Sequence, residues 1–342
     1  AEIIIPVPNY YVFKFAANSL NLKFKEVLSL ASLDTVIASI TPATKMIILV
    51  NPTNPPGQIY PPPEVKRLLT IAKQKKILIL ADEVFSDLTF DSDKFIATDK
   101  IASDINALQN LVVVKGYSKS KNLPALRIGY LFSKNSQLIQ AIEKILELRQ
   151  CFAPASAYTG FISLDSYLQS ANQLVQKKGY SRLNPILANL KSQFKFSDTI
   201  QEKSLTDLSR LYFRYQAYLQ QTLKLYSQAL DKSLDLLKSD LARSLPKQAA
   251  FNTLVKIKDL EKVNLFDFTL NLYLTTGVKI ELGPCFGFDQ KTWENHPNLG
   301  FWLRITFAKN KTQLLTGIRK FIQFKKAYLQ NPNKFLQTNL SF

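Results

Sequence analysis

Leu111-Val112-Val113-Val114-Lys115-Gly116-Tyr117-Ser118-Lys119-Ser120-Lys121-Asn122-Leu123-Pro124-Ala125-Leu126-Arg127-Ile128-Gly129 is the stretch from which the rest of the chain is read. It opens on four consecutive apolar residues, which suit a strand buried on both faces. Lys119 comes just past that strand. An amine there, partly withdrawn from water and close to other cations, is placed to lose its proton and act as a nucleophile. Arg127 follows eight residues later. Its planar, permanently charged fork can reach back to clamp a phosphate.

Similar apolar runs recur on either side. Ile3-Ile4-Ile5-Pro6-Val7-Pro8 reads as a buried strand ending at prolines, and Met46-Ile47-Ile48-Leu49-Val50 and Ile77-Leu78-Ile79-Leu80-Ala81 as two more. Residues 127–132 are a further candidate, followed by a helix over 136–148. Pro62-Pro63-Glu64 opens a helix to about residue 75, with proline in the first turn and an acid near the positive end of the dipole. Continuous Ile/Leu/Val strands separated by helices predict an α/β protein whose mainly parallel sheet is covered by helices. Ligands of such sheets gather beyond the strands' C-terminal ends. Asn54, Asp82 and Lys119 all fall just past such ends.

Residues 160–200 predict irregular helices, with an exposed insertion at 177–198. After it, Leu208, Leu211, Tyr215, Leu219, Leu223, Tyr226, Leu230, Leu234, Leu237 and Leu241 recur every three or four residues. That spacing predicts one long amphipathic helix ending before Pro246, either bridging two domains or pairing with a partner helix. Beyond it, strands at 254–257 and 303–307 mixed with helices predict a smaller α+β domain. The expected division is a cofactor-binding domain at 1–205, an interdomain helix at 206–245 and a small domain at 246–342.

Composition sets outer bounds. The chain has 342 residues, 46% of them apolar, which is enough for a substantial core. No apolar run approaches the roughly 18–20 residues of a membrane span. No basic head precedes an apolar segment, so no secretory signal is expected. With two distant cysteines, Cys151 and Cys285, and one histidine, His296, no metal site is expected. Two free thiols fit a reducing cytoplasm. The net charge of +18 comes from lysines scattered along the chain, unaccompanied by a zinc finger, a helix-turn-helix or an RNA-binding aromatic pattern. Neither nucleic acid nor membrane is therefore expected as a partner, although the positive field can draw in small organic acids.

The Lys119 stretch resembles the cofactor-attachment signature of class I/II pyridoxal-phosphate-dependent aminotransferases. Asn51-Pro52-Thr53-Asn54-Pro55-Pro56-Gly57 resembles the family's Asn-Pro-x-Asn-Pro-x-Gly turn, and Ala81-Asp82-Glu83-Val84-Phe85-Ser86-Asp87 its Asp-Glu-x-Tyr segment. Gly277-Val278-Lys279-Ile280-Glu281-Leu282-Gly283-Pro284 is similar to the strand and turn that face the active site. Phe301-Trp302-Leu303-Arg304-Ile305-Thr306-Phe307-Ala308 is similar to the strand bearing the substrate-carboxylate arginine.

The resemblance implies a fold-type-I architecture, pyridoxal 5'-phosphate as cofactor, an amino acid and a 2-keto acid as substrates, and a homodimer. It implies that Lys119 forms a Schiff base with the cofactor and then moves the substrate α-proton. Asp82 would pair with the ring nitrogen, Asn54 would donate to the phenolic oxygen beside the substrate, and Tyr10 would stack on the ring. Ser118 and Arg127 would hold the phosphate, and Arg304 the substrate α-carboxylate. Phe85 lines the same site but stands where the family usually has a hydrogen-bonding tyrosine, which implies less of the reactive neutral form at pH 7. The family also places more sequence ahead of Ala1, including the glycine-rich phosphate cup, so the chain is expected to be an N-terminally truncated piece. A carbon–sulfur lyase, another α-carbon reaction or a cofactor-binding homologue without turnover remain alternatives, because one fold supports all of them. The amino donor and acceptor are not specified by these motifs.

Overall fold

The computed structural model describes residues 1–342 apart from 31, 150–157, 177–182, 193–197, 262, 288–300 and 339–342. Cys151, His296 and half of the expected insertion at 177–198 lie outside the described residues. The described chain divides into two compact units. One comprises residues 1–115, 130–136 and 225–342, the other 116–129 and 137–224.

The first unit is built on a six-stranded sheet: β1 (Glu2–Val7), β2 (Lys23–Leu28), β3 (Thr44–Val50), β4 (Leu78–Asp82), β5 (Leu111–Gly116) and β6 (Gly129–Ser133), in the order β2-β1-β3-β4-β5-β6. The ladders from β2 through β5 are all parallel. Strand alternation sends successive side chains to opposite faces, and each face has its own core. Ile47 and Leu49 pack on one side with Leu68, Leu69 and Ile79, whereas Ile48 and Val50 join Ile5 and Val7 on the other. This double burial is why the strands read as continuous apolar runs.

Helix α3 (Pro62–Lys75), which follows the short α1 (Val12–Ser19) and α2 (Asp34–Ala38), covers one face through Val65, Leu68, Leu69 and Ala72. Each large side chain so buried contributes about 2 kcal/mol. The helix begins at the expected prolines and ends at Lys76 in the left-handed conformation, φ 54°. Its Glu64 accepts a hydrogen bond from the backbone N–H of Leu33, 2.6 Å, which ties the helix start to the segment leading into α2.

Tyr60 anchors the loop before α3. It is 3% exposed, and its hydroxyl lies 3.0 Å from Ser29 Oγ. Burial pushes its pKa up to about 12, opposed by the Ser29 hydrogen bond and reinforced by the charge of Glu64. The unfolded chain gives up this proton near pH 10 and the folded chain does not. Stability from this group is therefore fully present below pH 10 and falls by about 2–3 kcal/mol as pH rises to about 12. Urea unfolding of wild type and Tyr60→Phe across that window checks the point: the difference between the two curves should stay flat below pH 10 and change above it.

The same unit holds a second, antiparallel sheet: β7 (Leu241–Ser244), β8 (Asn252–Ile257), β9 (Glu281–Leu282) and β10 (Phe301–Thr306), ordered β7-β8-β10-β9. Two amphipathic helices, Leu265–Thr276 and Lys311–Gln330, pack on it around Phe268, whose ring meets those of Phe301, Phe324 and Tyr328 edge-on at 5.2–5.5 Å. Lys325 is 4% exposed and satisfied by Asp240 at 2.9 Å and Asp259 at 3.3 Å.

The long helix is present as Leu205–Leu237 and stops short of the expected end. Leu241 continues the apolar spacing, but residues 241–244 form β7 instead, because pairing with β8 satisfies their backbone hydrogen bonds. In the second unit, Ser163–Gln176 is a regular helix where irregular ones were expected. Tyr167, Ala171 and Leu208 form that unit's core, with Leu164, Leu187 and Leu190 packed against it.

Candidate active site

The turn after β3 is stapled from several sides. Thr53 and Gln58 exchange backbone hydrogen bonds with their neighbours across the turn, Gly57 N–H donating to Thr53 O at 2.9 Å and Thr53 N–H to Gln58 O at 2.8 Å. Asn51 Oδ1 accepts from the Tyr60 N–H at 3.1 Å, and Gly57 O accepts from the Ala249 N–H at 3.0 Å. Asn54 sits half-buried at its tip. Its Oδ1 accepts from Asn252 Nδ2 at 3.3 Å, and Asn252 Oδ1 accepts from the Thr306 hydroxyl at 2.8 Å. A chain of three polar side chains thus joins the β3 turn to β10, the strand that carries Arg304. With its oxygen committed to Asn252, the Asn54 amide has its N–H donors left for an acceptor.

Asp82 is the last residue of β4, between Val50 of β3 and Val114 of β5. Its Oδ1 accepts from the Val84 N–H at 3.0 Å, which fixes the carboxylate in the turn leaving the strand. The next residue, Glu83, is buried, accepts from the Thr98 N–H at 2.7 Å and lies 3.3 Å from Lys115 Nζ. Phe85 is 1% exposed and meets Phe251 edge-on at 5.2 Å, so its ring is part of the packed interior. Tyr10 is 37% exposed, with its ring centroid 4.7 Å from that of Tyr11.

Arg304 is on β10, directly opposite Glu281 of β9 in the ladder. The two side chains form an ion pair, and the guanidinium carbon lies 5.3 Å from the centre of the Phe286 ring. The arginine expected to receive an external carboxylate therefore holds an internal one.

Lys119, Ser118 and Arg127 belong to the second unit. Lys119 and Ser118 are half-buried in the single helical turn Tyr117–Ser120 that follows β5. That turn is well tied down. The Tyr117 N–H donates to Ile128 O at 3.1 Å, and the Tyr215 hydroxyl donates to Ser120 O at 3.3 Å. Lys121 pairs with Asp165 at 3.0 Å and lies 3.8 Å from the centre of the Tyr215 ring. Arg127 is exposed in the left-handed conformation, φ 54°, and donates to Pro124 O at 3.1 Å.

The structure adds pairings the motifs did not show. Asn252 and Thr306 orient Asn54, and Glu281 engages Arg304; each acts across a sequence gap that no local pattern spans. Among the described residues no helix is long and apolar enough to cross a membrane, and no cluster of three or more His, Cys, Asp or Glu side chains could hold a metal ion.

A parallel sheet covered by helices defines an α/β protein, a class whose ligands gather beyond the strands' carboxyl ends. The profile of the family described as aminotransferase class I and II matches residues 1–321, and the chain belongs to that family. It is 30% identical over 178 residues to an aspartate aminotransferase of Sulfurisphaera tokodaii, covering 48% of this chain and 43% of that protein. A glutamate-pyruvate aminotransferase of Escherichia coli is 24% identical over 194 residues, covering 52% and 47% respectively. The chain spans about half the length of the curated relatives it matches. Among solved structures, Thermus thermophilus aspartate aminotransferase with maleate shares the fold at a TM-score of 0.67 and 17% identity, over 94% of this chain and 69% of that one. An aminotransferase from Mycobacterium tuberculosis does so at 0.66 and 17%, over 96% and 70%. The chain thus has the fold-type-I architecture.

Proposed function

We propose that this chain, or the protein of which it is part, is a pyridoxal-phosphate-dependent aminotransferase that moves an amino group between an amino acid and a 2-keto acid. The observation that carries the reading is that Asn54, Asp82 and Lys119 follow three consecutive strands of the sheet, β3, β4 and β5. The donor set fits the cofactor. A primary amine suits an aldehyde, a hydroxyl and a guanidinium suit a phosphate, a carboxylate suits a protonated ring nitrogen, and the free amide donors of Asn54 suit a phenolic oxygen.

When bound, pyridoxal 5'-phosphate supplies an aldehyde that joins an amine, and a cationic ring that takes up the electron pair left at the substrate α-carbon. Lys119 Nζ holds the cofactor and then carries the α-proton away from and back to the substrate. Asp82 keeps the proton on the ring nitrogen. Ser118 and Arg127 bind the phosphate, Tyr10 and Phe85 border the ring, and Arg304 and Asn54 orient the amino or keto acid. A homodimer and a division at residues 205 and 245 accompany this reading on the strength of the family resemblance, and a cytoplasmic setting on that of the two distant thiols.

Stoichiometry tests it. Cofactor-loaded protein mixed with amino acids in turn should release a keto acid up to a single equivalent, and continue only when a second keto acid is added. Continuous release without an acceptor would identify a lyase instead. No release with any amino acid would identify a cofactor-binding homologue without turnover.

A further inference from the structure

Arg304 and Glu281 face each other on neighbouring strands, and their ion pair lies on the wall of a cavity of about 500 Å³. Among the described residues lining that cavity, the charged ones are Lys279, Arg304 and Lys309 against Glu281 alone. Three cations and one acid make a place for an anion whose strongest receptor is already taken. The guanidinium is kept in position by the Phe286 ring on one side and by Glu281 on the other. The pair is also reachable, since the Glu281 side chain retains 39% of its accessibility and that of Arg304 21%. A partly exposed pair of this kind is weakly held, so an incoming carboxylate can take the acid's place.

We infer that Glu281 is a built-in occupant of the Arg304 fork, so that an acidic ligand binds there only by displacing it, and that Glu281 thereby sets which acids the site accepts. The inference rests on the proposed transaminase reading for the nature of the ligand, an amino or keto acid. Displacement leaves the Glu281 charge beside the incoming carboxylate. Ligands with a second carboxylate gain most, because Lys279 and Lys309 can receive it. Monocarboxylates bear the cost of displacement with less in return.

The experiment is calorimetric titration of succinate into wild type, Glu281→Gln and Glu281→Val, each first shown to be folded by thermal denaturation. Removing the internal competitor should tighten succinate binding at least about fivefold. Adding Arg304→Gln to either variant should abolish the gain. Unchanged or weaker binding in a folded variant overturns the inference, as does a gain that survives Arg304→Gln. Failure of both Glu281 variants to fold also overturns it, by assigning the pair a structural role. Uptake of pyridoxal phosphate at Lys119, read by absorbance on the same samples, is independent of the fork. Its loss with the succinate response intact would overturn the proposed function and not the role of Glu281.

Discussion

Lys119→Ala should lower turnover by at least about a thousandfold, because one substitution removes the amine proposed as both the covalent anchor and the base that moves the α-proton. The effect should fall on kcat more than on KM, since Asn54 and Arg304, the residues proposed to orient the substrate, are untouched. Reduction of the wild-type protein with borohydride in the presence of cofactor should mark the peptide carrying Lys119, and the variant should take up no mark. The turn that bears this lysine is fixed by the Tyr117 hydrogen bond to Ile128 and by the Lys121–Asp165 pair, so the variant should keep the wild-type melting temperature. Turnover within a few-fold of wild type would remove Lys119 from the mechanism.

The second large effect is structural and reaches the site indirectly. Gly57 has φ +68°, and a Cβ placed on it would lie 2.6 Å from Asn252 O and 2.7 Å from Ala249 O. Both obstacles are backbone, so neither can rotate away. Gly57→Ala should therefore destabilise the protein by about 3–5 kcal/mol, combining the left-handed backbone cost with overpacking. It should also disturb Asn54, whose partner Asn252 is the residue pushed. Gly317 is the matched control. It lies within the helix Lys311–Gln330, where an added methyl would meet nothing within 4 Å, so Gly317→Ala should stabilise by about 0.5–1 kcal/mol. Urea midpoints at unchanged slope measure both; equal midpoints for the two variants would refute the steric account.

Much of the fold was legible because its signals are local. The strand ending at Val50, the strand ending at Asp82 and the helix Pro62–Lys75 each announce themselves through apolar periodicity and end chemistry. Residues 241–244 show where this fails. Leu241 extends the apolar pattern of the long helix, yet the segment pairs with β8, a choice made by a strand eight or more residues further along. Phe85 is similar. Its place in a motif marks it as a departure from tyrosine, but only packing shows that the ring sits against Phe251.

The order of residues was enough to establish the family, the parallel sheet and the chemical types expected at the strand ends, because strand burial and motif spacing are properties of short segments. Which partner each polar group takes was settled only in the folded chain. Asn54 meets Asn252 across 198 positions, and Arg304 meets Glu281 through a strand only two residues long. Hydrogen bonds and ion pairs act over a few ångströms in space, and nothing in a local pattern records which distant residue the fold will bring within that range.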